Sequence, residues 1–484
     1  MILERLYRPD LAQASYLIAC QRSREAIVID PNRDIERYLD AARATGASIT
    51  QVAETHVHAD FVSGSRELAR RTGARLLLSG EGGDEWQYAF APEEGARLLR
   101  DGDSFMIGDV RFDVVHTPGH TPEHLSFIVT DAAATHVPMG LVSGDFVFVG
   151  DVGRPDLLER AANVPGTAEQ GARLLHRSLQ KIARLPDHVQ LWPGHGAGSA
   201  CGRALGAVPS STLGYERITN WAFGIADEAA FVNAVLAGQP DPAPYFAEMK
   251  RVNLEGPPVV GERASPASLS AAELDGIVDN AGATVIDIRS AQAFAAAHVP
   301  GTLNIPLGRS FVEWAGWLVP RGSDISLIAD GLAAEHVDEA VLTLSLIGLD
   351  RVLGFFGDGV LEERARLGGR VEAMPEMNIV ELGDTLGSAD GVSVVDVRTP
   401  AEWRAGHLPG VANIPLAQLA QRMAGLPRDR PLLIHCQSGG RSSIGTSLLR
   451  ASGLTNAVNL SGGFAAWQGA GLPVERTQEG AVRA

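Results

Sequence analysis

The segment Thr55-His56-Val57-His58-Ala59-Asp60-Phe61 crowds two imidazoles and a carboxylate into a few residues where a strand pattern gives way to a loop. Imidazole and carboxylate are donors that hold transition metals. Three later strings add to them. Thr117-Pro118-Gly119-His120-Thr121-Pro122, Ser143-Gly144-Asp145 and Pro193-Gly194-His195-Gly196 each place one His or Asp directly after a strand and a glycine turn. The set His56, His58, Asp60, His120, Asp145 and His195 therefore reads as a metal centre, whereas the isolated His136, His176 and His188 read as structural. A different chemistry stands at Leu432-Leu433-Ile434-His435-Cys436-Gln437-Ser438-Gly439-Gly440-Arg441-Ser442. There a cysteine ends a strand, and a glycine-bearing loop leads into a helix N-terminus. Backbone N–H groups, the helix dipole and Arg441 favour an anionic sulfur on Cys436.

Rigid elements must bring these loops together. In the first part of the chain, β-rich segments (16–30, 50–55, 111–116, 125–130 and 141–143) alternate with helices at 34–45 and 64–72, which predicts a layered α/β sandwich with the candidate ligands at strand ends. Further on, strands alternate with helices as in a parallel sheet. The spacing predicts a strand at 431–435, a loop at 436–441 and a helix at 442–452. VIDIRS at 285–290 recurs as VVDVRT at 394–399, and HVPGTLNIPL at 298–307 recurs as HLPGVANIPL at 407–416, at one common offset, so two pieces are a duplication. In the first copy the strand 326–330 ends on Asp330 where the second has Cys436, and no arginine follows in 331–335. A carboxylate cannot accept a sulfane sulfur, so this copy is expected to be silent. Pro/Gly-bearing stretches at 254–265 and 372–378 then divide the chain into 1–255, 266–372 and 378–480.

Composition narrows the field. A chain of 484 residues with 45% hydrophobic and 20% charged side chains is globular and large enough for about three domains. A net charge of −17 repels nucleic acid and anionic membranes. No apolar run is long enough to span a membrane, and the first residues do not read as a signal peptide. Three cysteines cannot build a disulfide framework. A soluble protein of the reducing cytoplasm is the expectation, with Cys20 as a core residue and Cys201 as either a packed thiol or an accessory one near the metal.

The metal set resembles the metallo-β-lactamase superfamily, whose αββα fold would account for most of the first piece. Asp30 matches that superfamily's first motif, as a brace for the metal loops. Its hydrolases usually carry His-x-His-x-Asp-His, and here the last position is Phe61, which favours a mononuclear site. Two imidazoles and one carboxylate with open positions suit ferrous iron and dioxygen. The strings THVHADFVSG, HTPGHT, SGDFVFVGDVGRPD and PGHGAGSACGRALGAVPSSTLGYERITNW are similar to persulfide dioxygenases fused to rhodanese domains. That resemblance implies one Fe(II) per chain on His56, His120 and Asp145. It also implies an outer shell of His58, Asp60 and His195, and an Arg154 that contacts the carrier thiol. Ala197 stands where glutathione-using relatives carry tyrosine, so glutathione is not assured as the carrier, and the carrier expected from the resemblance is of glutathione or coenzyme A type. The loop at Cys436 resembles the active loop of rhodanese sulfurtransferases, with Cys436 as sulfur carrier and Arg441 beside it. The implied reaction oxidises a low-molecular-weight persulfide with O2 to sulfite, coupled to formation or use of thiosulfate. A homo-oligomer is the family expectation. The alternatives are a dinuclear zinc thioester hydrolase of glyoxalase II type and a non-oxidative sulfur carrier or sensor.

Overall fold

The computed structural model describes residues 1–162, 166–203, 205–261, 264–385 and 391–476; the expected end of the third piece, 477–480, lies outside the described residues, as do residues 262–263 of the first linker. By internal packing the chain forms two units, Met1–Arg263 with Leu344–Gly348, and Ala264–Thr343 with Leu349–Ala484.

The first unit contains two six-stranded sheets. One runs in the order Ile2–Arg8, Gln13–Ala19, Glu25–Ile29, Ser48–Ala53, Arg75–Ser79, Arg97–Leu99, and the other Ser211–Thr212, Gln190–Pro193, Gly140–Gly144, Leu125–Asp131, Val110–His116, Ser104–Ile107. Side-chain alternation explains the layering. In Gln13–Ala19 and Glu25–Ile29, Ala14, Tyr16, Ile18, Ile27 and Ile29 enter a core shared with Phe112, Val114, Phe127 and Val129 of the other sheet. The intervening Leu17, Ala19, Ala26 and Val28 face outward onto a core with Tyr38, Ala42, Leu68 and Ala69 of the helices Glu36–Thr45 and Ser65–Thr72. Both faces of these strands are buried, so both read as apolar runs. In Val110–His116 the outward positions Arg111 and Asp113 stay polar. Helices Thr167–Ile182 and Glu228–Leu236 cover this second sheet. The expected αββα sandwich is what the chain forms. The strand segment expected at 16–30 is two antiparallel strands joined by a turn.

The second unit contains two five-stranded parallel sheets of one topology. Their orders are Ala267–Ser268, Val352–Phe356, Asp324–Ile328, Ala283–Asp287, Leu303–Asn304, and Glu376–Met377, Ala457–Leu460, Leu432–His435, Ser393–Asp396, Ala412–Asn413. The duplication seen in the sequence is thus a duplication of fold. The helix after Cys436 begins at Gly440, not at Ser442 as expected, because Gly439 takes a positive φ of 106° and caps it. Arg441 therefore lies in the first helical turn. Among the described residues no helix is long and apolar enough to cross a membrane.

Candidate metal centre and thiol loop

The candidate ligands all follow strand ends at one edge of the sandwich. Glu25–Ile29 delivers Asp30, Ser48–Ala53 delivers residues 54–60, Val110–His116 the His120 loop, Gly140–Gly144 delivers Asp145, and Gln190–Pro193 delivers His195. Two glycines permit the approach. Gly144 has φ 51°, and a Cβ on it would stand 2.5 Å from the Thr55 hydroxyl, while one on Gly194 would stand 2.6 Å from Asp145 Oδ1.

His56, His120 and Asp145 are buried and offer donor atoms within 4.8 Å of one another. Asp145 Oδ2 lies 3.8 Å from His56 Nε2 and 3.6 Å from His120 Nε2. Hydrogen bonds behind the rings set their tautomers. Thr55 donates its one hydroxyl proton to Asp30 Oδ2 at 2.8 Å, so at 2.9 Å from His56 Nδ1 it accepts, leaving the Nε2 lone pair free. His120 Nδ1 donates to the Arg154 carbonyl at 3.0 Å, with the same effect. Burial, joined for His56 by the neighbouring imidazoles, holds His56 well below the usual histidine range, and burial outweighs Asp145 to lower His120. Both are neutral ligands-in-waiting. His56 Nε2 and both Asp145 oxygens are buried without a protein partner, which is the donor set a metal ion would satisfy.

His58 belongs elsewhere. Its Nε2 sits 3.0 Å from Glu54 Oε2 and 3.3 Å from Asp30 Oδ1, and these carboxylates overcome burial to keep the ring protonated. Asp30 also accepts from Thr55 N at 2.6 Å, so it braces the ligand loop. Phe61 is fully buried and its ring lies 4.3 Å from that of His58. Asp60, His195 and Cys201 make a second cluster of donors within 4.8 Å. His195 Nδ1 bonds the Ala12 carbonyl; its Nε2 is 3.2 Å from Asp60 and 3.5 Å from Asp145. Burial opposes a charge there, but the two carboxylates raise His195 to about 9. Burial, together with Asp60 and Asp145, pushes the Cys201 thiol well above its ordinary range.

Arg154 is buried, with its guanidinium engaged inside the protein. Its side chain has no exposure, and its guanidinium donates to Asp156 twice and to the carbonyls of Ala200 and Pro240. Four of its five donors are spent inside the protein. Arg154 acts on the site through its carbonyl, which orients His120.

Sequence reasoning passed over Glu54, Thr55, Glu123 and His124. His124 Nε2 accepts from Asp145 N at 3.1 Å, while Glu123 accepts from Val57 N at 2.7 Å, between the two histidines of the first loop. Their signal was a Glu-His pair directly after the HTPGHTP string, at a spacing that returns to the strand Leu125–Asp131.

At the thiol loop, Cys436 is 1% exposed and its Sγ accepts from Gly439 N at 3.2 Å. Arg441 is paired bidentately with Glu402, at 2.8 and 2.6 Å. Glu402 also accepts from the Thr399 N–H and hydroxyl, and although partial burial opposes it, these donors hold its carboxyl down to about 2. In the middle copy the strand ends at Ile328, which pairs with Asp287 as His435 pairs with Asp396, so Ala329 and not the expected Asp330 stands at the position of Cys436; Asp330 accepts from Gly359 N at 2.8 Å while Gly331 N donates to Asp358 at 2.9 Å. That loop is closed on itself.

The model of the metallo-beta-lactamase superfamily matches residues 8–195, and that of the rhodanese-like domain matches residues 380–470. A solved metallo-beta-lactamase structure from Staphylococcus aureus subsp. aureus COL is 41% identical, covering 74% of this chain and 99% of that one with a TM-score of 0.66. The hydroxyacylglutathione hydrolase of Polaromonas sp. is 33% identical over 40% of this chain and 66% of its own length. The mitochondrial persulfide dioxygenase of Bos taurus is 28% identical over 40% of this chain and 68% of its own.

Two outcomes are expected. Thr55→Val keeps the shape but removes the acceptor behind His56, so metal affinity should fall about 10- to 100-fold, measured by competition with a chelator. Glu123 is raised by burial to about 7 from the ordinary 4.5, though Val57 N–H and Thr121 lower it. The native state then binds more protons than the unfolded one between those values, so stability is lost as pH rises through that window. Glu123→Gln does not titrate. In metal-free protein its unfolding free energy, measured by denaturant titration, should gain on the wild type from pH 5 to pH 8 by about 1–3 kcal/mol.

Proposed function

Because the chain belongs to the metallo-beta-lactamase superfamily and carries a C-terminal rhodanese-like domain, we propose that it is a persulfide dioxygenase coupled to a sulfurtransferase. The proposed reaction converts a low-molecular-weight persulfide of glutathione or coenzyme A type, O2 and water into the free thiol, sulfite and protons. Cys436 then exchanges sulfane sulfur between a persulfide and the sulfite–thiosulfate pair. The proposed domains are 1–255, 266–372 and 378–480, the middle one catalytically silent. Three unbridged thiols suit the cytoplasm as the proposed location.

The observation that carries this reading is the pair of neutral imidazoles, His56 and His120, aimed with Asp145 at one point. One ferrous ion per chain is the proposed cofactor, and it would supply the redox chemistry with dioxygen. The protein's part is positioning. Thr55 and the Arg154 carbonyl orient the ligands, and His195 carries a proton between Asp60 and Asp145. The Cys201 thiol lies beside that pair. At the second site the Cys436 thiolate attacks the terminal sulfur of a persulfide RSSH. The donor S–S bond breaks, a new one forms on Cys436, and RS⁻ leaves.

A thioester hydrolase is the second reading. It is favoured by the Asp60, His195 and Cys201 cluster, which could hold another metal, and by the likeness to a hydroxyacylglutathione hydrolase.

Oxygen uptake by iron-loaded protein on adding glutathione persulfide, then coenzyme A persulfide, tests the proposal. Uptake should vanish in Asp145→Ala and persist in Cys436→Ser. Two zinc ions per chain with thioester cleavage and no uptake would establish the hydrolase instead.

A further inference from the structure

The duplicated fold separates what the architecture needs from what the thiol needs. The Asp396–Arg398 pair, at 2.7 Å, recurs as Asp287–Arg289 at 2.6 Å. Asn413 Nδ2 reaches the carbonyls of Asp396 and Arg398, as Asn304 Nδ2 reaches those of Asp287 and Arg289. Trp403 stacks on His407 with centroids at 3.8 Å, and Phe294 on His298 at 4.1 Å. These are fold elements, kept whether or not the copy has a thiol.

Three positions behave differently. Ile328 pairs with Asp287 as His435 pairs with Asp396, so Cys436 is matched by Ala329; no arginine stands in 329–335, and Glu402 is matched by Ala293. The helix Ala291–Ala296 forms without the glutamate, because Ser290 alone caps it. Glu402 is therefore not required to build its helix, and it is absent from the copy that lacks the thiol and the arginine.

Its geometry says what it does. Glu402 takes both ends of the Arg441 guanidinium and is itself anchored by two Thr399 donors in a capping box. Arg441 and Glu402 side chains are only 25% and 34% exposed, so solvent screens the pair incompletely. Glu313, on the helix Phe311–Leu318 of the silent copy, is a second carboxylate within electrostatic reach of Arg441. A divalent oxyanion arriving at Cys436 meets a guanidinium already committed to a carboxylate, not a free cation.

We propose that Glu402 is a specificity-determining residue of the thiol loop: by holding Arg441 it withholds the guanidinium from small sulfur oxyanions, so Cys436 is loaded from an organic persulfide in preference to thiosulfate. Either loading step balances without a co-reactant. From RSSH the thiolate takes the terminal sulfur and expels RS⁻; from thiosulfate it takes the outer sulfur and expels sulfite. Glu402 touches neither donor and acts through Arg441.

This inference rests on Cys436 being the sulfur-carrying thiol of the proposed function. The test measures persulfide formation on Cys436 of the full chain by mass spectrometry, with thiosulfate or cysteine persulfide as donor, at low and high salt. Glu402→Gln keeps the capping box and removes the charge; Glu402→Ala copies the silent domain. In both variants the ratio of thiosulfate to persulfide loading rates should rise about tenfold, and the gain should shrink with salt. A ratio that stays at the wild-type value, or a gain indifferent to salt, would overturn the role of Glu402 while leaving Cys436 as the carrier. No loading of wild-type Cys436 from either donor would remove the sulfur-transfer reading and this inference with it.

Discussion

The metal centre depends on one proton, the hydroxyl proton that Thr55 gives to Asp30. With it committed, Thr55 can only accept from His56, and the His56 lone pair must face the cavity. Asp30 can play this part because the chain turns into a positive φ of 53° there, at the end of its strand, and because its carbonyl is held by Gln13 and Ser15. The same carboxylate faces His58, which becomes a cation and leaves the ligand set. One buried aspartate thus fixes the tautomer of His56 through Thr55 and favours the charge on His58, only two residues away.

The other donors are sorted by the same physics. His120 and His195 both rest their Nδ1 on a backbone carbonyl, so both aim Nε2 inward. They differ in charge environment. His120 has Asp145 as its nearest carboxylate, and burial wins; His195 lies between Asp60 and Asp145, and the carboxylates win. This asymmetry separates a three-ligand site from an adjoining cluster that holds Cys201.

In the second unit, duplication kept the fold in both copies, while the cysteine and the loop arginine stand in only one of them. Ion pairs, stacked rings and the asparagine bridges persist in both copies because the sheets need them. In the middle copy the corresponding loop is closed by two reciprocal bonds, from Gly359 N–H to Asp330 and from Gly331 N–H to Asp358.

Residue type and local order were enough to read the layered sandwich, the duplication and the strand-loop-helix unit around Cys436. All of these rest on patterns within a few residues or on direct repetition. Helix starts depended on a local φ at Gly439, which composition does not specify. The surroundings of Arg154 were not legible because a buried guanidinium and a substrate-facing one look alike in sequence; only packing shows that Asp156, Ala200 and Pro240 use its donors. The contacts of Glu123, His124 and Glu402 were equally invisible, since each bonds a residue from another strand end or helix. Charge state and tautomer are properties of neighbours in space, and those neighbours exist only once the chain has folded.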